Sequence, residues 1–200
     1  MEPDPSGSRF RQALLAALAL VSVATFVALA AGFWIGTNTT TPAHDPPDWA
    51  RALGGAGSWK VLPLLALVSG LGLALAGRRR AAVSLVAAGG GAGVLAYVAK
   101  VLLQFLGADD DGGRLSDYPS AHVATTTAFA GAAAGLVWLR FHSVVVRTLA
   151  VGLAVTAMLA MGWARVAEGS HSVLDAVGGA VLAVGWLAAC AWFVKPSYDL

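Results

Sequence analysis

Charged side chains are scarce in this chain. Asp, Glu, Lys and Arg make up 12% of its 200 residues, whereas 58% are hydrophobic. Water-soluble domains carry about a quarter charged residues, so the composition excludes an ordinary soluble domain and is typical of a membrane protein. The net charge of +2 arises from few ionised groups. No basic run alternates with aromatic residues, so we expect no nucleic-acid partner.

Cysteine is nearly absent as well. Cys190 is the only one, and it lies inside an apolar run. The sequence therefore excludes an intrachain disulfide and a thiolate metal site.

Long apolar runs, by contrast, dominate the sequence. A helix needs about 20 apolar residues to cross the hydrocarbon layer. Six stretches have roughly this length, at 12–35, 60–77, 81–106, 121–139, 144–164 and 173–194. They predict an all-α integral membrane bundle of six transmembrane helices, with residues 1–200 as a single membrane domain. The first stretch is also compatible with a signal peptide, with Arg9 and Arg11 as its basic region and Ala28-Leu29-Ala30 as its cleavage site.

The long polar connection at 36–59 contains prolines, threonines and aspartates, which argue against a continuous helix there.

The positions of the basic residues predict the orientation. The triple arginine at 78–80 fills the shortest loop, and cytoplasmic loops of membrane proteins are enriched in Lys and Arg. We therefore expect a multi-pass protein of the cell membrane with both termini in the cytoplasm. Lys100, Arg114 and Arg165 then fall on the extracytoplasmic side.

Glycines spaced four apart occur in two of the apolar stretches. These are Gly89 with Gly93, and Gly131 with Gly135. Small residues at this spacing let helices approach closely in lipid, although a chain so rich in glycine and alanine also produces such pairs by chance.

Three polar clusters fall on the outer side of this topology. Lys100 lies late in the third stretch, Pro119-Ser120-Ala121-His122 begins the fourth, and Arg165, His171 and Asp175 lie between the fifth and the sixth. Ionisable groups at membrane depth are costly, so each cluster is a functional candidate.

Each cluster also has a structural interpretation. Ser120 is a typical helix cap, and Lys100 is placed to extend its amine towards the head groups. Ser172 and Asp175 have the spacing of a capping box, which would account for Asp175 without catalysis.

Together the clusters indicate chemistry. His171 and Asp175 are four residues apart, so on one helix face the carboxylate can reach the imidazole and stabilise positive charge on it. A nucleophilic histidine needs such a partner. Arg165 and Lys100 supply positive charge for an oxyanion. Ser120 and the free backbone N–H groups at the start of the fourth helix form an anion seat, beside which His122 is a candidate general acid.

At this point the sequence resembles the type-2 phosphatidic acid phosphatase superfamily, the lipid phosphate phosphatases. Arg165-VAEGS-His171-SVL-Asp175 has the spacing of that family's third motif. Pro119-Ser120-Ala121-His122 resembles its second motif, Pro-Ser-Gly-His, with alanine in the glycine position. The methyl group of Ala121 then lies close to the anion seat. The resemblance covers residues from about 60 to 194.

The resemblance implies a mechanism without a metal or an organic cofactor. His171 would attack phosphorus and form a phosphohistidine, with Asp175 orienting it. His122 would protonate the leaving oxygen. Arg165, Lys100 and Ser120 would hold the phosphoryl oxygens.

The first motif of the family, Lys, six residues, Arg-Pro, is incomplete. Gly107 and Ala108 stand where its arginine and proline are expected after Lys100. Arg114, further along the loop, is a candidate replacement. Asp109–Asp111 are interpreted as a solvated turn rather than a metal site, and Glu168 as a loop carboxylate at the mouth rather than a proton relay.

The sequence thus predicts a bacterial lipid phosphate phosphatase acting at the outer leaflet, whose partners are the membrane and a lipid phosphate. Polyprenyl diphosphate is the favoured substrate, with phosphatidic acid and phosphatidylglycerol phosphate as alternatives. A catalytically degenerate relative or a small transporter or lipid binder remains the other interpretation. The sequence does not define an oligomeric state.

Overall fold

The computed structural model of this chain describes residues 5–35, 45–58, 61–106 and 117–193. These ranges fold into seven α-helices and contain no strand. The helices are α1 (Pro5–Ile35), α2 (Asp48–Ala56), α3 (Val61–Leu75), α4 (Arg79–Phe105), α5 (Ala121–Arg140), α6 (Val144–Ala167) and α7 (Val173–Phe193). The predicted all-α class is confirmed.

Five of these helices are long and apolar enough to cross a membrane. They are the segments Gln12–Ala30, Arg79–Phe105, Ala121–Arg140, Val144–Ala167 and Val173–Trp192. The second predicted span forms α3, which has 15 residues and is shorter than the roughly 20 that a crossing needs. A sixth span exists only if α2 and α3, which are bent by 44°, are counted as one broken span. Five of the six predicted spans thus correspond to membrane-length helices.

In its described part, residues 45–58, the polar connection contains one short helix. α2 begins after Pro47, which has an extended backbone, and Asp48 lies in its first turn. A negative charge there is favourable beside the free N–H groups of a helix start. α2 packs against α6.

The centre of the bundle is α5, which contacts α3, α4, α6 and α7. Its first two turns are buried as a continuous run over residues 123–128. Ala128 packs with Ala92 of α4 and Ala183 of α7. Such small side chains allow helices to approach closely where lipid provides no hydrophobic driving force.

The predicted close helix approach is confirmed at both glycines of the first pair, Gly89 and Gly93. In the second pair it is confirmed at Gly131 but not at Gly135. A Cβ at Gly89 would lie 3.2 Å from Phe129, and one at Gly93 would lie 2.8 Å from Thr125, so α4 packs on α5 through both glycines. Gly131 faces Leu187 of α7, whereas Gly135 has open space beside it.

Candidate active site

The turn between α6 and α7 brings the residues of the third motif together. Gly169 has φ of +67°, a conformation that favours glycine. The chain therefore reverses, and the backbone N–H groups of Ser170 and His171 both donate to the carbonyl oxygen of Arg165, at 3.2 and 3.3 Å. These bonds satisfy a carbonyl at the end of α6 and fix His171 beside the last turn that carries Arg165.

His171 and Asp175 form a buried pair. The His171 Nδ1 atom lies 3.7 Å from Asp175 Oδ2, and the side chains are 7% and 2% exposed. The prediction had both residues on one helix face, but α7 begins at Val173, so His171 lies before the helix. The distance is an electrostatic contact rather than a hydrogen bond.

The predicted capping box is confirmed. The backbone N–H of Ser172 donates to Asp175 Oδ2 at 2.6 Å, and that of Asp175 donates to Ser172 Oγ at 3.1 Å. Asp175 Oδ2 thus caps the start of α7 and also faces His171. Asp175 Oδ1 and His171 Nδ1 are buried and make no hydrogen bond within the part of the chain that the structure describes.

The start of α5 is joined directly to this pair. The backbone N–H of Ser120 donates to the carbonyl oxygen of Asp175 at 3.0 Å. The approach depends on Gly179, where a Cβ would lie 2.4 Å from the Ser120 carbonyl oxygen. The second and third motifs therefore meet through backbone contact, which the sequence did not predict.

Ser120 has two sequence interpretations, and the structure contradicts the one as an ordinary helix cap. It precedes α5, but its side chain makes no capping hydrogen bond, so the interpretation as an ordinary cap is wrong. Its backbone N–H is engaged by Asp175 and is not a free donor for an anion. The hydroxyl is fully buried and has no hydrogen-bond partner among the described residues. An anion seat at this helix start would use that hydroxyl and the N–H groups that follow it, from Ala121 onwards.

Tyr118 fixes this segment against the first helix. Its ring is fully buried, lies 5.1 Å from the ring of Phe26, and its hydroxyl donates to the Phe26 carbonyl oxygen at 3.0 Å. Burial, and secondarily the charge of Asp175, raises the pKa of the Tyr118 phenol, so the hydroxyl keeps its proton. The start of α5 is thereby held between α1 and α7.

Arg165 is partly buried and paired. Its side chain is 15% exposed and its Nη1 atom donates to Glu168 Oε2. The hydroxyl of Ser170 donates to the same oxygen at 3.2 Å. Arg165 Nε has no hydrogen-bond partner in the described ranges. The sequence had interpreted Glu168 only as a loop carboxylate, and this ion pair was not predicted.

His122 and Lys100 complete the cluster. His122 lies at the start of α5, within electrostatic range of Arg165, His171 and Lys100. Lys100 lies near the end of α4, is half-buried, and interacts electrostatically with Asp175 and Arg165. The structure therefore brings six predicted site residues to one end of the bundle, namely Lys100, Ser120, His122, Arg165, His171 and Asp175.

The remaining predictions for this region concern the loop after α4. Arg114 and Asp109–Asp111 lie outside the described residues. Within the described ranges, no group of three or more His, Cys, Asp and Glu side chains is placed to hold a metal ion.

A cleft of about 590 Å³ opens beside the cluster. The lining residues are Pro46, Arg51, Gly54, Gly55, Ser58, His122, Arg165, Glu168 and Ser170. The segment around α2 thus forms one wall of the cleft. A Cβ at Gly54 would lie 2.9 Å from Arg165 Nη1, so the glycine lets α2 approach the ion pair. The sequence had assigned no catalytic or phosphate-binding role to this segment.

Membrane-length helices with a cluster of ionisable groups at one end define a helical membrane protein with an enzyme-like site. The model of the PAP2 superfamily matches residues 13–199, and the chain belongs to this superfamily. Its members are generally phosphatases, which supports a phosphoester hydrolase. No curated protein and no solved structure matches the chain.

Proposed function

We propose that this protein is a metal-independent lipid phosphate phosphatase that works through a phosphohistidine at His171. The observation that carries the proposal is the buried pair of His171 and Asp175, with Nδ1 of the imidazole facing the carboxylate at 3.7 Å. A carboxylate on that side stabilises positive charge on the ring and leaves Nε2 as the nucleophilic nitrogen.

The reaction has two steps. Nε2 of His171 attacks phosphorus, the bond from phosphorus to the leaving oxygen breaks, and His122 donates a proton to that oxygen. Water then attacks phosphorus, giving up a proton to His122, and the N–P bond breaks to release phosphate. The charge on the imidazole remains stabilised by Asp175 throughout.

The phosphoryl oxygens have several candidate donors. Arg165 offers a planar fork that suits two oxygens at once, and Lys100 adds a second positive charge. The unpartnered Ser120 hydroxyl and the N–H groups from Ala121 onwards complete the seat at the positive end of α5. Arg114 is proposed for the role of the missing first-motif arginine.

The proposed substrate is a lipid phosphate at the outer leaflet of the cell membrane. The triple arginine at 78–80 favours the cytoplasmic side for that turn, and successive spans then carry Lys100 and Arg165 to the opposite side. An outward site favours a polyprenyl diphosphate of cell-envelope synthesis, with phosphatidic acid and phosphatidylglycerol phosphate as alternatives.

The test is phosphate release by detergent-purified protein from a panel of these lipids, with a metal chelator present, compared with His171→Ala. We expect release by the wild type and a loss of at least about 10³-fold in the variant, because the nucleophile is removed. Acid-labile, base-stable labelling by substrate in the wild type alone would identify the phosphohistidine.

Two results would contradict the proposal. Full activity in His171→Ala would exclude the mechanism, and no release from any lipid would favour a degenerate relative or a lipid binder. A transporter is the less favoured class, because transport sites lie near the middle of the membrane, whereas the ionisable groups of the described spans lie towards helix ends.

A further inference from the structure

Glu168 and Arg165 form an ion pair inside the candidate phosphoryl site. Their side chains are 10% and 15% exposed. Ser170 holds the same carboxylate oxygen through its hydroxyl. The other oxygen, Oε1, lies against α2, since a Cβ at Gly54 would come within 2.3 Å of it. The carboxylate is therefore fixed from three sides while it contacts the guanidinium.

A largely buried arginine needs such a partner when no substrate is bound. An uncompensated charge is costly at this depth, and among the described residues the Arg165 Nε atom already lacks a hydrogen-bond partner. A carboxylate and a phosphoryl group present similar pairs of anionic oxygens to the planar fork. A phosphoryl group that uses the same Nη1 atom must displace Glu168.

We propose that Glu168 is a positioning residue that competes with the phosphoryl group for Arg165 and thereby sets the affinity of the site for phosphate esters and phosphate. The inference rests on the proposed function, since it takes Arg165 as a phosphoryl-binding group. In the empty site Glu168 holds the guanidinium in place. In the occupied site Glu168 is displaced into the cleft of about 590 Å³ that it also lines.

The competition has a consequence for turnover. Binding energy that is equal for substrate, transition state and product lowers KM without raising kcat. Inorganic phosphate, the product, carries the same anionic oxygens as the substrate. A carboxylate that returns to Arg165 weakens the product complex and favours release of phosphate.

The first experiment compares wild type with Glu168→Gln, which keeps the size of the side chain and removes its charge. Inhibition constants for orthovanadate and inorganic phosphate are measured together with KM and kcat, and binding of both anions is measured by calorimetry in detergent. We expect both anions to bind about tenfold more tightly in the variant, as the loss of a charge-assisted competitor implies. KM should fall in parallel, and kcat should not rise.

Two further variants accompany Glu168→Gln. Ser170→Ala removes the hydroxyl that restrains the carboxylate and should shift anion affinity in the same direction, by about two- to threefold. It also tests the inference independently if Glu168→Gln fails to fold. Asp48→Asn is the matched control, because Asp48 pairs with Arg51 at an exposed position on the α2 wall. Loss of the Asp48 charge should change anion affinity less than twofold, since exposed charges are screened.

The outcomes separate this inference from the proposed function. Unchanged or weaker anion binding in both Glu168→Gln and Ser170→Ala would overturn the inference, even if the wild type hydrolyses lipid phosphates. An equal increase in anion affinity in Asp48→Asn would also overturn the inference. Such a result would show that removing any negative charge near the cleft strengthens anion binding. Tighter binding in the two test variants supports it, even if no hydrolysis is detected and the proposed function fails.

Discussion

Two short turns of the bundle each have an arginine nearby, and the two arginines have different surroundings. After the turn between α5 and α6, Arg147 Nε donates to the carbonyl oxygens of Trp138 and Phe141 at 3.1 and 2.7 Å. Its guanidinium also lies 5.0 Å from the centre of the Trp138 ring. Before the turn between α6 and α7, Arg165 is paired with the carboxylate of Glu168.

The difference shows how one residue type acquires two roles. Arg147 contacts neutral carbonyl groups of its own turn and an aromatic face, which are permanent parts of the fold. Arg165 contacts one carboxylate beside a cleft, and in the proposed competition a phosphoryl group or phosphate replaces that partner. The first arrangement closes a turn, whereas the second is the proposed exchangeable anion site.

The largest expected effect comes from Asp175→Asn. The amide oxygen can still accept the Ser172 N–H, but the negative charge that faces His171 is lost. We expect kcat to fall on the order of 10³–10⁴-fold, as for other carboxylates that orient a catalytic histidine. Single-turnover phosphate release measures the loss, and a melting temperature within a few degrees of wild type shows that the fold is retained. Activity within tenfold of wild type would contradict the role of Asp175.

The second prediction compares the two arginines directly. Arg165→Lys should lower kcat/KM about 100-fold, because an ammonium cannot present two parallel donors to a phosphoryl group. Arg147→Lys should leave kcat/KM within twofold and lower stability by about 1 kcal/mol, through the lost carbonyl and ring contacts. Kinetics and thermal melting of both variants in the same detergent provide the measurement. Equal losses of activity in Arg165→Lys and Arg147→Lys would contradict the different roles assigned to the two arginines.

The smallest effects concern the backbone of the turns. Gly169→Ala places a Cβ on a residue with φ of +67° and should lower the stability of the protein by about 1 kcal/mol. Some activity should be lost as well, because His171 is displaced.

Ser143→Ala removes only a weak cap, a hydrogen bond of 3.5 Å from the Val146 N–H. It should lower the stability by about 0.5 kcal/mol without affecting activity. Chemical denaturation followed by activity assays measures both. An active Gly169→Ala protein with unchanged stability would show that the turn does not need glycine.

Local sequence spacing accounts for part of the site. The capping box of Ser172 and Asp175 was predicted because its contacts span three residues of one helix start. The proximity of His171 and Asp175 was predicted for the same reason, although His171 lies before α7 rather than on it. The PAP2 family was recognised from the same residues together with the second motif.

Other features of the site depend on contacts between distant segments. The bond from Ser120 to the Asp175 carbonyl joins residues 55 positions apart, and the Gly54 contact joins α2 to the turn after α6. No local spacing encodes these approaches. The pair of Arg165 and Glu168 is close in sequence, but three residues of separation do not reveal that the two side chains pair and are largely shielded from water.

The sequence by itself determined that this chain is helical, suited to a membrane, and a PAP2 relative, because hydrophobic length and local motif spacing are properties of single segments. The tertiary structure decided which groups meet. In that structure the Ser120 N–H donates to the Asp175 carbonyl oxygen, and the Ser120 hydroxyl is buried without a partner among the described residues. The Glu168 carboxylate contacts Arg165 beside a cleft that α2 lines. Burial and packing between helices fix those contacts, since they determine which polar groups lose water and must find partners within the protein.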